Sequence, residues 1–247
     1  MSHFFERVPY DEISEFSIYT IPHVLALLVS MLLLLALYLY AERLKKKSYE
    51  RIVRYIIAIL MLLSNVTIYL YSNSQNLPWY KYLPEATCGL AIYFGAFALL
   101  TKNRTITLLT FFWGWGAIST FLAPNLMEGP TRYNFYQFFF RHVLILGSTI
   151  YMFKVHDIKV FKKDYKLYVI YTLPAAIIGG IVSFVINKPY EFNMFYMMQP
   201  AKNTPVFDVI HEWSFPAYVV IWLAFALAIG YIYGIPFYQK VEVNKDD

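Results

Sequence analysis

The sequence predicts an all-α polytopic membrane protein with seven transmembrane helices. Hydrophobic residues make up 59% of its 247 positions and aromatic residues 20%, and the mean hydropathy is +0.46. The hydrophobic residues are concentrated in seven runs, each long enough to cross a hydrocarbon core of about 30 Å as a helix rising about 1.5 Å per residue. A transmembrane β-barrel needs alternating polar and apolar positions, and these runs lack that alternation.

The seven runs follow one another with short hydrophilic breaks, which predicts a single transmembrane domain over residues 1–247. No internal repeat or change of composition marks a second domain. The helices are expected near residues 17–40, 52–72, 83–100, 105–124, 134–154, 165–187 and 213–236.

Lysine and arginine residues gather in the breaks on one side of the predicted membrane. Fifteen lie on this side, mostly after the first and fifth runs, and five lie on the other side. Because cytoplasmic loops carry the excess of Lys and Arg, the N-terminus is predicted outside and the C-terminus inside. This distribution accounts for the net charge of +5 without a nucleic-acid partner.

Cysteine usage limits the chemistry that the chain can perform. Cys88 is the only cysteine, so an internal disulfide is excluded, and no cluster of Cys and His residues predicts a metal site. A seven-helix retinal protein needs a lysine in the middle of its last helix, and residues 213–236 contain none. We therefore expect neither a metal nor a cofactor.

Polar and ionisable residues within the runs mark the candidate functional site, because such groups are costly in hydrocarbon. The predicted orientation places His23, Cys88 and His142 about 9, 8 and 12 Å below the outer boundary of the membrane. The same layer contains further polar residues, namely Asn65, Glu85, Arg141 and His211. Polar chemistry is therefore expected in the outer leaflet.

These residue types favour acyl transfer. Cys88 would be the thiolate nucleophile and His142 its base, and either Arg141 or backbone donors would stabilise the developing oxyanion. Phospholipid ester bonds lie just beneath the headgroups, at about the predicted depth of Cys88. Simpler interpretations also stand: a small apolar filler for Cys88, a bond between helices for His23, and for Arg141 a counter-ion to Glu85 or to a lipid phosphate.

Five segments that together span most of the chain resemble the YwaF-like family of bacterial seven-helix membrane proteins. They are "FSIYTIPHVLALL", "LPEATCGLA", "FWGWGAISTFLAPNL", "FYQFFFRHVLIL" and "EFNMFYMMQP". That family is similar to an animal endoplasmic-reticulum acyltransferase that moves polyunsaturated acyl chains into ether phospholipids through a cysteine and a histidine. The resemblance implies a multi-pass protein of the bacterial cytoplasmic membrane that acts on membrane lipids.

By this resemblance Cys88 would carry the acyl chain as a thioester and His142 would be its base. His23, Asn193 and Tyr196 match positions of the family whose roles the resemblance does not assign.

The resemblance also introduces a second reactive group. Alignment on Pro84 places the cysteine of the animal enzyme at Glu85, and its following histidine at Ala86. A carboxylate at Glu85 together with His142 would favour general-base hydrolysis, or no catalysis at all.

Two functions stay open. The first is a lipid acyltransferase or transacylase that acts on phospholipid or lysophospholipid in the outer leaflet through a Cys–His pair. The second is a non-catalytic lipid- or small-molecule-binding protein, such as a receptor, sensor or transporter. The proline-containing segment 188–212 is expected to form either an outer lid or re-entrant loop, or an ordinary interfacial loop.

Overall fold

A computed structural model describes residues 2–8, 14–84, 86–186, 192–200 and 204–239. Glu85, one of the predicted reactive residues, lies outside the described residues. Within these ranges the chain forms nine α-helices: α1 (Ile21–Leu44), α2 (Glu50–Ser74), α3 (Thr87–Thr101), α4 (Arg104–Trp113), α5 (Trp115–Leu122), α6 (Tyr133–Val155), α7 (Tyr165–Ile186), α8 (Pro205–Trp213) and α9 (Phe215–Gly234). Two short strands, β1 (Val160–Phe161) and β2 (Tyr238–Gln239), pair in parallel.

The all-α prediction is confirmed, and every predicted apolar run contains a helix. Six helical spans are long and apolar enough to cross a membrane, one of them formed by α4 and α5 together over Arg104–Leu122. The helix in the remaining predicted run, α3, has only 15 residues. It begins four residues later than the run at 83–100, because Leu83 precedes a proline and both Leu83 and Ala86 have extended backbone.

Helix α6 lies at the centre of the bundle and contacts α1, α2, α3, α4 and α5. Close packing around it depends on small residues. A Cβ on Gly95 of α3 would lie 2.4 Å from the terminal methyl of Met61 and 2.7 Å from the hydroxyl of Ser148, so glycine allows α2, α3 and α6 to approach one another. Helix α7 packs on α4 and α9, and α8 packs on α9.

The end of the bundle that carries residues 14–20, here called the N-terminal end, is closed by an ion pair. Arg132 binds both carboxylate oxygens of Glu15, at 2.7 and 2.5 Å, and also donates to the backbone oxygen of Glu6 at 2.9 Å. This contact holds the pKa of Glu15 below its ordinary value, chiefly through the hydrogen bond from Arg132. The N-terminal segment is thereby fixed to the loop that precedes α6.

Residues 192–200 fold back against the bundle between α7 and α9. The amide of Met194 donates to Ser183 Oγ at 2.9 Å, and Trp222 Nε1 donates to the backbone oxygen of Phe195 at 2.8 Å. Phe195 and Met197 are buried. Of the segment 188–212, residues 192–200 thus pack among the helices, while most of the described remainder belongs to α8.

Candidate functional site

Two cavities open near the N-terminal end of the bundle and meet at Cys88. The first has a volume of about 430 Å³ and is mainly apolar; the second has a volume of about 320 Å³ and is more polar. Both volumes fall in the range of small-molecule sites. Five residues line both cavities: Ala86, Cys88, Thr120, Asn125 and Tyr196.

Aromatic and aliphatic side chains from α4, α5, α7 and α9 form the wall of the apolar cavity. The polar atoms of three of its aromatic residues are occupied by bonds within the wall. Trp113 Nε1 donates to Thr172 Oγ1 at 3.0 Å, Trp115 Nε1 donates to the Tyr168 hydroxyl at 3.1 Å, and that hydroxyl donates to the backbone oxygen of Ala226 at 2.9 Å. The cavity therefore presents mainly hydrocarbon and ring surfaces, which suit an apolar ligand.

The polar cavity is lined by basic, phenolic and amide side chains from several elements: Arg7, Asn65, Tyr69, Lys81, Tyr93, Asn134, Arg141 and His142. The hydroxyls of Tyr69 and Tyr93 lie 2.5 Å apart, so one donates to the other and the acceptor's own proton can point elsewhere. Arg7 forms an ion pair with the buried carboxylate of Glu128, 3.5 Å between Nε and Oε1, so Arg141 rather than Arg7 favours a ligand that carries negative charge.

Arg141 is held in place by α2. Its Nη2 donates to the side-chain oxygen of Asn65 at 2.8 Å, while Asn65 Nδ2 has no hydrogen-bond partner among the described residues although the side chain is buried. No carboxylate of the described residues forms an ion pair with Arg141. The guanidinium is thus positioned by a neutral group and retains its positive charge beside the cavity.

His142 is buried, and its hydrogen bond identifies which ring nitrogen can act as a base. Nδ1 lies 2.7 Å from the backbone oxygen of Phe138. A carbonyl oxygen can only accept, so Nδ1 carries the proton and Nε2 of the neutral ring is left with its lone pair. Among the described residues Nε2 has no partner, and the side chain lines the polar cavity.

Cys88 lies in the first turn of α3, half-buried at the junction of the two cavities. Its sulfur lies close to α5, because a Cβ placed on Gly116 would be 3.4 Å from it. No hydrogen bond joins Cys88 to His142 in the described part of the chain, although both residues line the polar cavity.

The relationship of the chain to known proteins rests on its sequence over almost its whole length. The sequence model of the TMEM164 family matches residues 18–233. The chain belongs to the TMEM164 family. This is a family of membrane proteins, in agreement with the six long apolar spans. No curated protein and no solved structure matches the chain.

The TMEM164 match includes every predicted site residue, but the structure brings only some of them together. Cys88, Asn65, Arg141, His142 and Tyr196 all line the polar cavity. Glu85 falls between Pro84 and Ala86, which line this cavity, and lies outside the described residues.

His23 lies outside both cavities of this TMEM164-family protein. Its Nδ1 accepts a hydrogen bond from the Tyr19 amide at 2.9 Å, and its Nε2 lies 2.9 Å from the backbone oxygen of Phe121. The ring is fully buried and both nitrogens are occupied. This is the bond between helices that the simpler interpretation of His23 describes, and it connects the start of α1 to the end of α5.

Asn193 and His211 also lie outside the two cavities. Asn193 closes the turn at 192–200, with Nδ2 donating to the backbone oxygen of Gln199 at 2.6 Å and Oδ1 accepting from the Met198 amide at 2.9 Å. His211 Nε2 lies 3.0 Å from the backbone oxygen of Met198. Both side chains therefore support the fold of this segment and attach it to α8.

Sequence reasoning missed several residues that line the cavities, notably Arg7, Tyr69, Lys81, Tyr93 and Gly116. The chain contains 23 tyrosines, so nothing in the sequence distinguished the pair at 69 and 93 from tyrosines that face lipid. Arg7 precedes α1 and Lys81 precedes α3, so the sequence predicts that both are loop residues. Only the packing of the loops over α2 and α3 brings them to the cavity.

Proposed function

We propose that this TMEM164-family protein is a membrane-embedded lipid acyltransferase or transacylase that acts on phospholipid or lysophospholipid through Cys88 and His142. One observation carries the proposal: Cys88 lies where an apolar cavity meets a polar cavity lined by His142 and Arg141. An acylated lipid has the same division, since its ester joins a hydrocarbon chain to a polar headgroup. A nucleophile at the junction is positioned for that ester.

In the first half-reaction, the thiol proton of Cys88 passes to His142 Nε2 and the sulfur attacks the ester carbonyl of the donor lipid. The carbon–oxygen ester bond then breaks. The departing lysolipid oxygen takes the proton back from His142, and the acyl chain remains on Cys88 as a thioester. Arg141 stabilises negative charge on the carbonyl oxygen or on the lipid phosphate.

In the second half-reaction, the hydroxyl of an acceptor lysophospholipid gives its proton to His142 Nε2 and attacks the thioester carbonyl. The carbon–sulfur bond breaks, the thiolate regains a proton from His142, and the acceptor leaves as an acylated phospholipid. No other reactant is consumed, because the two half-reactions exchange an ester for an ester. Catalytic hydrogen bonds often tighten only when the substrate binds, so this mechanism requires the Cys88 thiol to reach His142 Nε2 in the substrate complex.

We propose the membrane topology that the positive residues indicate, with seven crossings, the N-terminus outside, the C-terminus inside, and the bacterial cytoplasmic membrane as location. Six long spans support most of these crossings. As a helix, α3 is about 22 Å long, and we propose that the segment before it, in which Leu83 and Ala86 are extended, completes the crossing. In this topology the cavities open toward the outer leaflet.

The decisive experiment is an acyl-exchange assay in proteoliposomes with labelled phospholipid and unlabelled lysophospholipid. Cys88→Ala and His142→Gln are each expected to reduce transfer by about a hundredfold or more, as loss of a nucleophile or of its base does. Mass spectrometry of the wild-type protein should detect an acyl thioester on Cys88. Thr149→Ala is a matched control on α6, because its hydroxyl bonds to a backbone oxygen four residues back, as the His142 ring does, and the Thr149 side chain lines neither cavity.

The same assay distinguishes acyl transfer through Cys88 from general-base hydrolysis through Glu85. Glu85→Gln should leave transfer intact if Cys88 is the nucleophile. Hydrolysis that survives Cys88→Ala and is lost in Glu85→Gln would replace the transferase proposal with general-base hydrolysis.

A non-catalytic lipid-binding function is the second candidate, and the absence of a Cys88–His142 hydrogen bond favours it. In that case the wild-type protein would bind labelled phospholipid and transfer nothing. Cys88→Ala would then leave lipid affinity unchanged.

A further inference from the structure

We propose that the apolar cavity is the acyl-chain site and that Gly116 is a specificity-determining residue, controlling which chains reach Cys88. The inference rests on the proposed function, in which Cys88 carries the chain. It goes further by assigning the chain to one cavity and its selection to one residue.

The two cavities together match an amphiphile. The polar cavity is lined by Arg141, whose hydrogen-bond partner Asn65 is neutral, so the phosphate-bearing part of a lipid is expected there. The apolar cavity begins at the same sulfur and extends among Trp113 of α4, Thr172 of α7 and Trp222 of α9. An acyl chain bound to Cys88 as a thioester can therefore extend into the apolar cavity. The hydrocarbon surface of this cavity favours the acyl chain over water.

Gly116 is a point at which α5 approaches the sulfur closely. A Cβ at this position would lie 3.3 Å from Thr87 Oγ1 and 3.4 Å from Cys88 Sγ, and no other described atom outside its own stretch of helix lies within 4 Å. A methyl group would thus contact the sulfur and otherwise occupy empty space on the cavity side. A branched side chain would fill the space through which an acyl chain leaves the sulfur.

Larger side chains at position 116 should therefore restrict the acyl chains that Cys88 accepts more strongly. Gly116→Ala narrows the space beside the Cys88 sulfur, and Gly116→Val closes that space to long acyl chains. Alanine is a better helix former than glycine, so a loss seen in Gly116→Ala does not reflect a weaker α5.

Cys88 is the only cysteine, which allows the cavity to be probed without any enzymatic step. Alkyl methanethiosulfonates react with a thiolate to form a mixed disulfide and release methanesulfinate. Ethyl and octyl reagents, together with the anionic sulfonatoethyl reagent, would be applied to the full-length protein in proteoliposomes, and labelling rates would be followed by mass spectrometry. Each reagent is compared between variants, so its own partition into lipid cancels.

For Gly116→Val we expect labelling by the octyl reagent to slow about tenfold or more, as for a group forced into occupied space. Labelling by the sulfonatoethyl reagent, which enters through the polar cavity, should change less than about threefold. The matched control is Gly147→Val on α6. A Cβ there is similarly crowded, at 3.3 Å from Leu37, but the site faces α1 and lines neither cavity.

The inference would be overturned if Gly116→Val slowed labelling by all three reagents equally, or if Gly147→Val slowed octyl labelling as much as Gly116→Val does. It would also be overturned if none of the reagents labelled Cys88 of the wild-type protein. In the transfer assay, Gly116→Ala should shift preference toward shorter acyl chains. If wild-type protein transfers no acyl chain but octyl labelling still depends on Gly116, the proposed function fails and the assignment of the apolar cavity stands. If the protein transfers acyl chains and neither Gly116→Ala nor Gly116→Val changes the chain preference, the proposed function stands and the assignment of the acyl chain to the apolar cavity fails.

Discussion

Arg141 on α6 donates a hydrogen bond from Nη2 to the side-chain oxygen of Asn65 on α2, 2.8 Å away, at the wall of the polar cavity. The bond crosses between two helices that are 76 residues apart in sequence at this point. An amide fixes the direction of the guanidinium and leaves its charge intact. The contact thus prepares a fixed cation for an anionic group of a ligand.

Asn65→Leu removes this partner with little change in side-chain volume. Hydrogen bonds to charged groups contribute about 1.5–3 kcal/mol, so we expect affinity for labelled phospholipid to fall by roughly tenfold to a hundredfold. Gln137→Leu is the control, because it removes a hydrogen bond between the same two helices, to the backbone oxygen of Ser64, away from both cavities. Equal losses of affinity in the two variants would contradict a role for Asn65 in positioning Arg141.

The Glu15–Arg132 ion pair predicts acid sensitivity at the N-terminal end. Arg132 lowers the pKa of Glu15 from its ordinary value of 4.5, so the pair's contribution is complete above that value and is lost as the pH falls through the lowered, folded-state pKa. For a partly exposed pair the contribution is about 0.5–1 kcal/mol. Thermal unfolding in detergent should show Glu15→Gln less stable than wild type near neutral pH, with the difference vanishing in acid.

Glu6→Gln provides the control for this pH dependence. Arg132 binds the backbone oxygen of Glu6, and the exposed Glu6 carboxylate contacts only His3, at 3.6 Å, among the described residues. The unfolding temperature of Glu6→Gln should follow that of the wild type at every pH. A Glu15→Gln curve parallel to wild type throughout the acid range would show that the ion pair does not stabilise the fold.

Gly230 allows α9 to pack against a rigid ring of α7. A Cβ on Gly230 would lie 2.3 Å from the Tyr168 ring, and Tyr168 is fully buried in the wall of the apolar cavity. Gly230→Ala should therefore lower the free energy of unfolding by about 1–3 kcal/mol. Gly180→Ala places its Cβ no closer than 3.5 Å to Met197 and should be tolerated. The two unfolding temperatures, measured in one detergent, test this difference.

The turn at 192–200 contains two consecutive non-glycine residues in the left-handed region, Phe195 at φ 57° and Tyr196 at φ 58°. Such backbone costs about 1–2 kcal/mol per residue, and side chains of α9 offset that cost. Trp222 donates to the backbone oxygen of Phe195 and Tyr218 donates to that of Tyr196. The combined variant Tyr218→Phe, Trp222→Phe removes both donors, and we expect the turn to loosen.

Because Tyr196 lines both cavities, a looser turn should admit water-soluble reagents to Cys88. We expect labelling by the sulfonatoethyl reagent to accelerate about threefold to tenfold, as a loss of roughly 1 kcal/mol in local stability implies. Tyr171→Phe with Trp213→Phe removes the same atoms from exposed positions and should label at the wild-type rate. Unchanged labelling in the first variant would mean that the turn does not cover Cys88.

The sequence by itself determined where the helices lie and which residues carry reactive chemistry. Apolar runs of membrane-spanning length specify helices, because only a helix satisfies its own backbone in lipid. Cys88, Arg141 and His142 stood out because ionisable or nucleophilic groups in such runs are few. Hydropathy places the start of α3 four residues too early, since it does not register the extended backbone at Leu83 and Ala86.

Only the tertiary structure decided which of these residues face a common space. Helical periodicity relates residues three or four positions apart, whereas the neighbours of a helix depend on close approach at small residues such as Gly95 and Gly116. That packing places Cys88 between two cavities and brings Arg7 from a distant loop to one of them. It also turns His23 toward a backbone oxygen of α5. The division into an apolar and a polar cavity is a property of the assembled bundle, because each wall is built from helices far apart in the chain.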